Sequence, residues 1–244
     1  MASGCLSLKP TLSSQVTEPA QPPPPRPYTP PSDTGRILLE DEQVLVADKP
    51  SGLLSVPGRG DARQDCLKSR LEQRFGKLYV VHRLDMDTSG LTLFARTPDA
   101  GRKLSSAFEA REVSKRYHAL VAGVPPHDSG SIELPIGRDW EMRPLRKIDH
   151  ESGQPSLTRW TLMDQYDDCA LLDLEPVTGR THQLRLHLAA IGHPILGDAL
   201  YGDPSRASRL CLHASKLVFP HPGTGALTCV KSTISFGNIG RLQN

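Results

Sequence analysis

The chain has 244 residues, a net charge of +2, few aromatic residues (5%) and 22 prolines. It contains no apolar run near the ~20 residues that a transmembrane helix needs, and no basic start followed by an apolar stretch of the signal-peptide kind. The near-neutral balance argues against a protein that coats nucleic acid non-specifically, and the length suits one domain or two closely merged ones.

Nine of the prolines fall before residue 36, among them the run Pro22 to Pro25. Residues 1–35 are therefore expected to be a disordered, dispensable extension with no net charge. The body, 36–244, is expected to be one catalytic domain. Ile37–Leu39 and Val44–Ala47 read as short strands split by an acidic turn. Gln64–Phe75 reads as a helix, with Leu67, Leu71 and Phe75 at helical spacing and Gly76 as its stop. Leu78–Val81 and Leu91–Ala95 read as strands on either side of a polar segment. Thr97 and Pro98 open a helix expected to run to about Arg111. Strands follow at Tyr117–Val124, Ser131–Ile136, Leu157–Met163 and Ala170–Val177. A helix is expected over Thr181–Ile191, stopped by Gly192 and Pro194, and then strands at Leu210–Phe219 and Leu227–Phe236. Strands outnumber helices and connections are short, so the expected class is α+β, a mostly antiparallel sheet flanked by a few helices.

The five cysteines are odd in number and include no C-x-x-C pair. Reduced thiols and a cytoplasmic location are the default reading. His182 and His187 are five residues apart, which is not the spacing of a helical zinc pair. They are read as structural, and no metal is expected.

The densest polar segment between strands is His82-Arg83-Leu84-Asp85-Met86-Asp87-Thr88-Ser89-Gly90. A carboxylate beside His and Arg, on a loop with hydroxyls and a glycine, is a plausible reaction centre. Gly179 to His187 forms a second cluster, in which Arg180 at the loop-to-helix junction could reach an acid across a cleft. Arg138, Arg143 and Lys147 belong to a local basic patch, and a further one runs from Arg102 to Tyr117.

The segment His82 to Gly90 resembles the H-R-L-D-x-x-T-S-G motif of the RluA family of pseudouridine synthases. Lys49-Pro50-Ser51-Gly52-Leu53 with Pro57-Gly58, the strand Lys115 to Gly123, Gly179 to His187, Gly192 to Asp198 and Leu212-His213-Ala214 are similar to further family segments, in the family's order. The resemblance covers roughly 36–222. Within the family, Gly137 to Lys147 and Glu151 to Pro155 look most like the dual-substrate type, which modifies a tRNA anticodon stem-loop and a 23S ribosomal RNA hairpin.

The resemblance implies an isomerase that breaks a uridine N-glycosidic bond and rejoins the base through carbon. Such a reaction needs no group donor or redox change, so no cofactor is expected. Asp85 is implied as the catalytic carboxylate, Arg180 as the arginine that keeps it ionised, and Tyr117 as the tyrosine that stacks on the base. Arg83 is expected to fill the space of a flipped uridine, and His82 to support the loop. Asp87 is assigned no role. Arg138, Arg143 and Lys147 are expected to grip RNA by phosphates and loop bases. Expected partners are a tRNA or 23S ribosomal RNA stem-loop, with no membrane and no obligate protein partner. The alternatives are an RNA-binding protein that has lost catalysis, and a glycoside hydrolase, for which a second carboxylate is missing.

Overall fold

The computed structural model describes residues 27–233 and Phe236. The expected features before residue 27, Cys5 and the Pro22–Pro25 run included, lie outside the described residues. So does the far end of the expected strand Leu227–Phe236, of which the structure forms Leu227–Lys231.

Twelve strands and three α-helices are formed by the described residues: β1 (Arg36–Glu40), β2 (Val44–Lys49), α1 (Leu67–Phe75), β3 (Tyr79–Val80), β4 (Ser89–Ala95), α2 (Pro98–Glu109), β5 (Ser114–Ala122), β6 (Ser129–Glu133), β7 (Ile136–Arg138), β8 (Arg146–Ile148), β9 (Leu157–Gln165), β10 (Cys169–Pro176), α3 (Gln183–Ala190), β11 (Leu212–Pro220) and β12 (Leu227–Lys231). Ten strands make one sheet, ordered β1-β2-β4-β11-β5-β10-β9-β6, with β3 on β4 and β12 on β11. β7 and β8 form a separate hairpin. The α+β class and the mostly antiparallel sheet hold. The parallel pair is β4 with β11, His213 opposite Ser89 and Ala214 opposite Gly90.

That parallel pair joins two halves of the molecule. On one side, α2 packs on β4 and β11 through Leu93, Leu104, Ala107 and Phe219. On the other, α3 packs on β5, β9 and β10 through Leu120, Leu172, Leu184 and Leu188. Tyr117 on β5 touches both cores. Gly90 permits the junction: its φ is 111°, and a Cβ there would lie 2.4 Å from the Ala214 carbonyl oxygen. Any side chain would force the two strands apart.

Local chemistry explains the element ends. The Thr97 hydroxyl accepts the Ala100 N–H at 3.1 Å, and Pro98 occupies the first helical position of α2. The Cys66 thiol accepts the Ser69 N–H at the start of α1, which buries Leu67 and Leu71; burying each such side chain contributes about 1.5–3 kcal/mol. The expected strand Ser131–Ile136 is two strands, because Pro135 lies between β6 and β7 and has no N–H for a ladder. β8, which the sequence reading missed, is three residues long. α3 starts at Gln183 rather than Thr181, because His182 before it is in the left-handed region with φ 58°. Among the described residues no helix is long and apolar enough to cross a membrane.

Candidate active site

The segment His82–Thr88 connects β3 to β4 and forms one wall of a cleft of ≈ 700 Å³. The opposite wall is the β10–α3 connection, 177–182, with the first turn of α3. The cleft thus opens where the two halves of the sheet meet, and Tyr117 lines it at that seam.

Asp85 faces the cleft with its side chain 29% exposed. Its Oδ2 lies 3.6 Å from Nη1 of Arg185 and 3.9 Å from Nε2 of His182. Arg185 is buried, and its other two nitrogens fork onto buried Asp198, Nε to Oδ2 at 2.8 Å and Nη2 to Oδ1 at 2.6 Å. Asp198 Oδ1 also accepts the N–H groups of Leu200 and Tyr201. Burial opposes both charges of this pair. For Arg185 the Asp198 hydrogen bonds and the charges of Asp198 and Asp85 outweigh burial, and its pKa is held above the ordinary range. For Asp198 the Arg185 fork and the two backbone donors win, and its pKa is held low. A fixed guanidinium is therefore aimed at Asp85 from the facing wall, set by a bidentate pair that fixes its plane.

This arrangement corrects one expectation. The arginine that faces Asp85 is Arg185, and not Arg180. Arg180 lies on the exposed loop before α3, lines the cleft, and also borders a neighbouring cavity. Arg185 stands in the first turn of α3, buried and lining the cleft. The readable signal was a charge flanked by Leu184 and Leu186: a buried arginine needs a buried acid, and Asp198 supplies it.

His182 was read as structural and is in fact at the cleft. Its Nδ1 lies 2.8 Å from the Tyr201 hydroxyl, and its ring packs edge-on to Tyr201. Burial, outweighing the charge of Asp85, holds its pKa below the usual value, so the ring is neutral near pH 7. Its left-handed backbone conformation is strained for a non-glycine residue. His187 does match the structural reading: it is buried, with its ring nitrogens on Thr158 and the Leu134 carbonyl.

Burial first, and then the charge of Asp85, push the Tyr117 phenol above its usual pKa, so it stays protonated and neutral. His82 stacks on Phe108 with ring centroids 5.0 Å apart and accepts the Leu93 N–H at Nε2. Burial and the Lys115 charge push its pKa down to about 3, leaving a neutral ring that ties the loop to β4. Arg83 is exposed on the cleft wall. The backbone carbonyl of Asp87 takes the Ser51 hydroxyl at 2.6 Å.

Arg138, Arg143 and Lys147 are exposed on the β7–β8 hairpin. Arg138 and Lys147 border a second cavity that shares Gly179, Arg180 and Thr181 with the cleft. Trp140 stands at the hairpin tip, 62% exposed, with the Arg143 guanidinium 4.4 Å and that of Arg138 5.3 Å from its ring centre.

Residues 43–190 match the family model described as RNA pseudouridylate synthase. The chain belongs to that family. It is an RNA pseudouridine synthase, an isomerase of uridine in RNA. The chain is 46% identical over 202 residues to the dual-specificity RNA pseudouridine synthase RluA of Pasteurella multocida, covering 81% of this chain and 92% of that one. Against the enzyme of the same name from Escherichia coli K12, identity is 41% over 214 residues, covering 86% and 98%. Among solved structures, human RNA pseudouridylate synthase domain containing 1 superposes with a TM-score of 0.72 at 30% identity, covering 84% of this chain and 86% of that one. The likeness therefore spans most of the synthase and is not confined to a local motif.

Proposed function

We propose that the synthase isomerises uridines in small RNA stem-loops, of tRNA and of 23S ribosomal RNA, with Asp85 as the catalytic carboxylate. The observation that carries this is the pairing across the cleft: a carboxylate open to the cleft, faced 3.6 Å away by a buried arginine that is itself held by a second carboxylate. An anionic carboxylate is what the reaction requires. The bond between uracil N1 and ribose C1′ breaks, the base turns, C5 bonds to C1′, the C5 proton is lost and N1 takes up a proton. Arg185 sets a buried positive charge 3.6 Å from the Asp85 carboxylate. Tyr117, kept neutral, offers a flat face to the base and a hydroxyl for proton transfer.

The target base must leave its stack to enter the cleft. Arg83, exposed on the cleft wall, is the side chain proposed to fill that gap. The β7–β8 hairpin supplies the grip, with Arg138, Arg143 and Lys147 for phosphates and Trp140 as a stacking platform for an unpaired base. The modest net charge fits a grip on one stem-loop. The relatives are named dual-specificity RNA pseudouridine synthases, which supports two RNA substrates; tRNA and 23S ribosomal RNA are those of the dual-substrate type that the sequence resembles, and a cytoplasmic location goes with them.

Pseudouridine mapping of tRNA and 23S ribosomal RNA from cells lacking the gene tests the reading. At least one site in a tRNA anticodon stem-loop and one in a 23S hairpin should revert to uridine, and return when the gene is restored. Unchanged maps in both RNAs would reject the substrate assignment.

A further inference from the structure

The described end of the proline-rich arm, 27–33, lies against the segment 50–65. The Tyr28 hydroxyl donates to the Asp65 carbonyl at 2.8 Å and accepts the Leu54 N–H at 3.1 Å. Pro31 reaches the chain at Gly52: a Cβ there would lie 3.7 Å from the Pro31 Cδ. Arg70, forked onto Asp65, also donates to the carbonyl of Asp33 at 3.0 Å. These contacts tie 27–33 to α1 and to the loop before it.

That loop is the rear support of the Asp85 segment. Lys49 Nζ and Gly52 N both donate to the Met86 carbonyl at 2.9 Å. Ser51 Oγ donates to the Asp87 carbonyl. Ser55 Oγ donates to the Leu84 carbonyl at 2.8 Å and accepts the Leu84 N–H at 3.1 Å. The backbone is thus held on both sides of Asp85. Leu54 sits in the middle of the support: its carbonyl accepts the Leu67 N–H at 2.8 Å, and its N–H ends on Tyr28.

We propose that Tyr28 is a positioning residue for the isomerisation, bracing through Leu54 and Asp65 the loop that fixes the backbone around Asp85. The last residues of the arm then belong to the support of the active site, and residues 1–35 are not dispensable as a block. The brace itself is a matter of backbone hydrogen bonds; its effect on turnover rests on the reading of Asp85 as the catalytic carboxylate.

The test is Tyr28→Phe in the full chain, which keeps the ring and removes both hydrogen bonds, with Tyr28→Ala as the stronger variant. Two readouts are taken together: amide hydrogen exchange by peptide, and single-turnover pseudouridine formation against RNA concentration. Loss of one or two partly buried hydrogen bonds should speed exchange in peptides spanning 50–58 and 82–88 about tenfold, with β9 and β10 unchanged. Turnover at saturating RNA should fall about three- to tenfold while the RNA concentration for half-maximal rate stays put. Tyr28→Ala should exceed Tyr28→Phe in both. Faster exchange confined to 27–35, with 82–88 and turnover as in the wild type, would overturn the proposal, and so would a loss of turnover explained wholly by weaker RNA binding. If the wild type forms no pseudouridine, the reading of Asp85 fails, yet the exchange of 82–88 still decides the brace.

Discussion

Arg185→Lys separates the arginine that faces Asp85 from Arg180, the partner expected from the sequence. At 3.6 Å and an effective dielectric constant near 20, the attraction between Arg185 and Asp85 is about 4–5 kcal/mol. A lysine keeps the charge but not the fork. Its ammonium would stay with Asp198, the fully buried acid, roughly 6 Å from Asp85, where the attraction falls to about 3 kcal/mol. The difference, about 2 kcal/mol, corresponds to a turnover loss of about 20–30-fold if the charge on Asp85 is needed in the transition state. Arg180→Ala removes an exposed cation and should raise the RNA concentration needed, with turnover at saturation nearly unchanged. Single-turnover release of tritium from uridine labelled at C5 measures both. Wild-type turnover in Arg185→Lys combined with a large loss in Arg180→Ala would refute the assignment and restore Arg180 as the partner.

Two further outcomes follow. Burial pushes His213 down to about 4, because its ring is enclosed by Ser89 at 2.9 Å and Ser232 at 3.0 Å, with Asp48, Arg209 and His118 nearby. The unfolded chain takes up a proton near pH 6.5 that the folded chain refuses until about pH 4, so stability is full above 6.5 and falls as pH drops through this window. The slope from this residue is up to about 1.4 kcal/mol per pH unit; urea unfolding from pH 7 to 4.5 should show His213→Gln less steep by about one proton, and an equal slope would contradict the burial argument. Trp140→Ala should weaken stem-loop binding about 5- to 100-fold, the range of one lost base stack, with turnover at saturating RNA retained; unchanged affinity in a filter-binding assay would remove the hairpin from the RNA grip.

Much of the fold was legible because its signals are local. Apolar runs between acidic or glycine turns gave β1 and β2, and Thr97-Pro98 gave the start of α2. The short hairpin strands β7 and β8 carry no such pattern. Their pairing is imposed by what lies around them, and Pro135 hides the break before β7. In the site, Asp85 stood in the densest polar segment between strands, whereas Tyr117 was pointed to only by the family resemblance. Arg185 was not pointed to, because two arginines share one motif and what tells them apart is a long-range pairing: Arg185 is buried on Asp198, 13 positions on. Tyr28 was hidden for another reason: the composition of the arm averages over residues 1–35 and masks one aromatic residue that finds a partner 26 positions on.

The central claim is that Asp85 is the carboxylate on which isomerisation depends. Asp85→Asn keeps size and shape while removing the charge, and the Arg185–Asp198 fork should hold the fold. Tritium release from a stem-loop RNA, measured beside binding of the same RNA, tests the claim directly. Wild-type affinity within a few-fold and no detectable pseudouridine are expected; turnover within tenfold of the wild type would mean that isomerisation does not depend on this carboxylate.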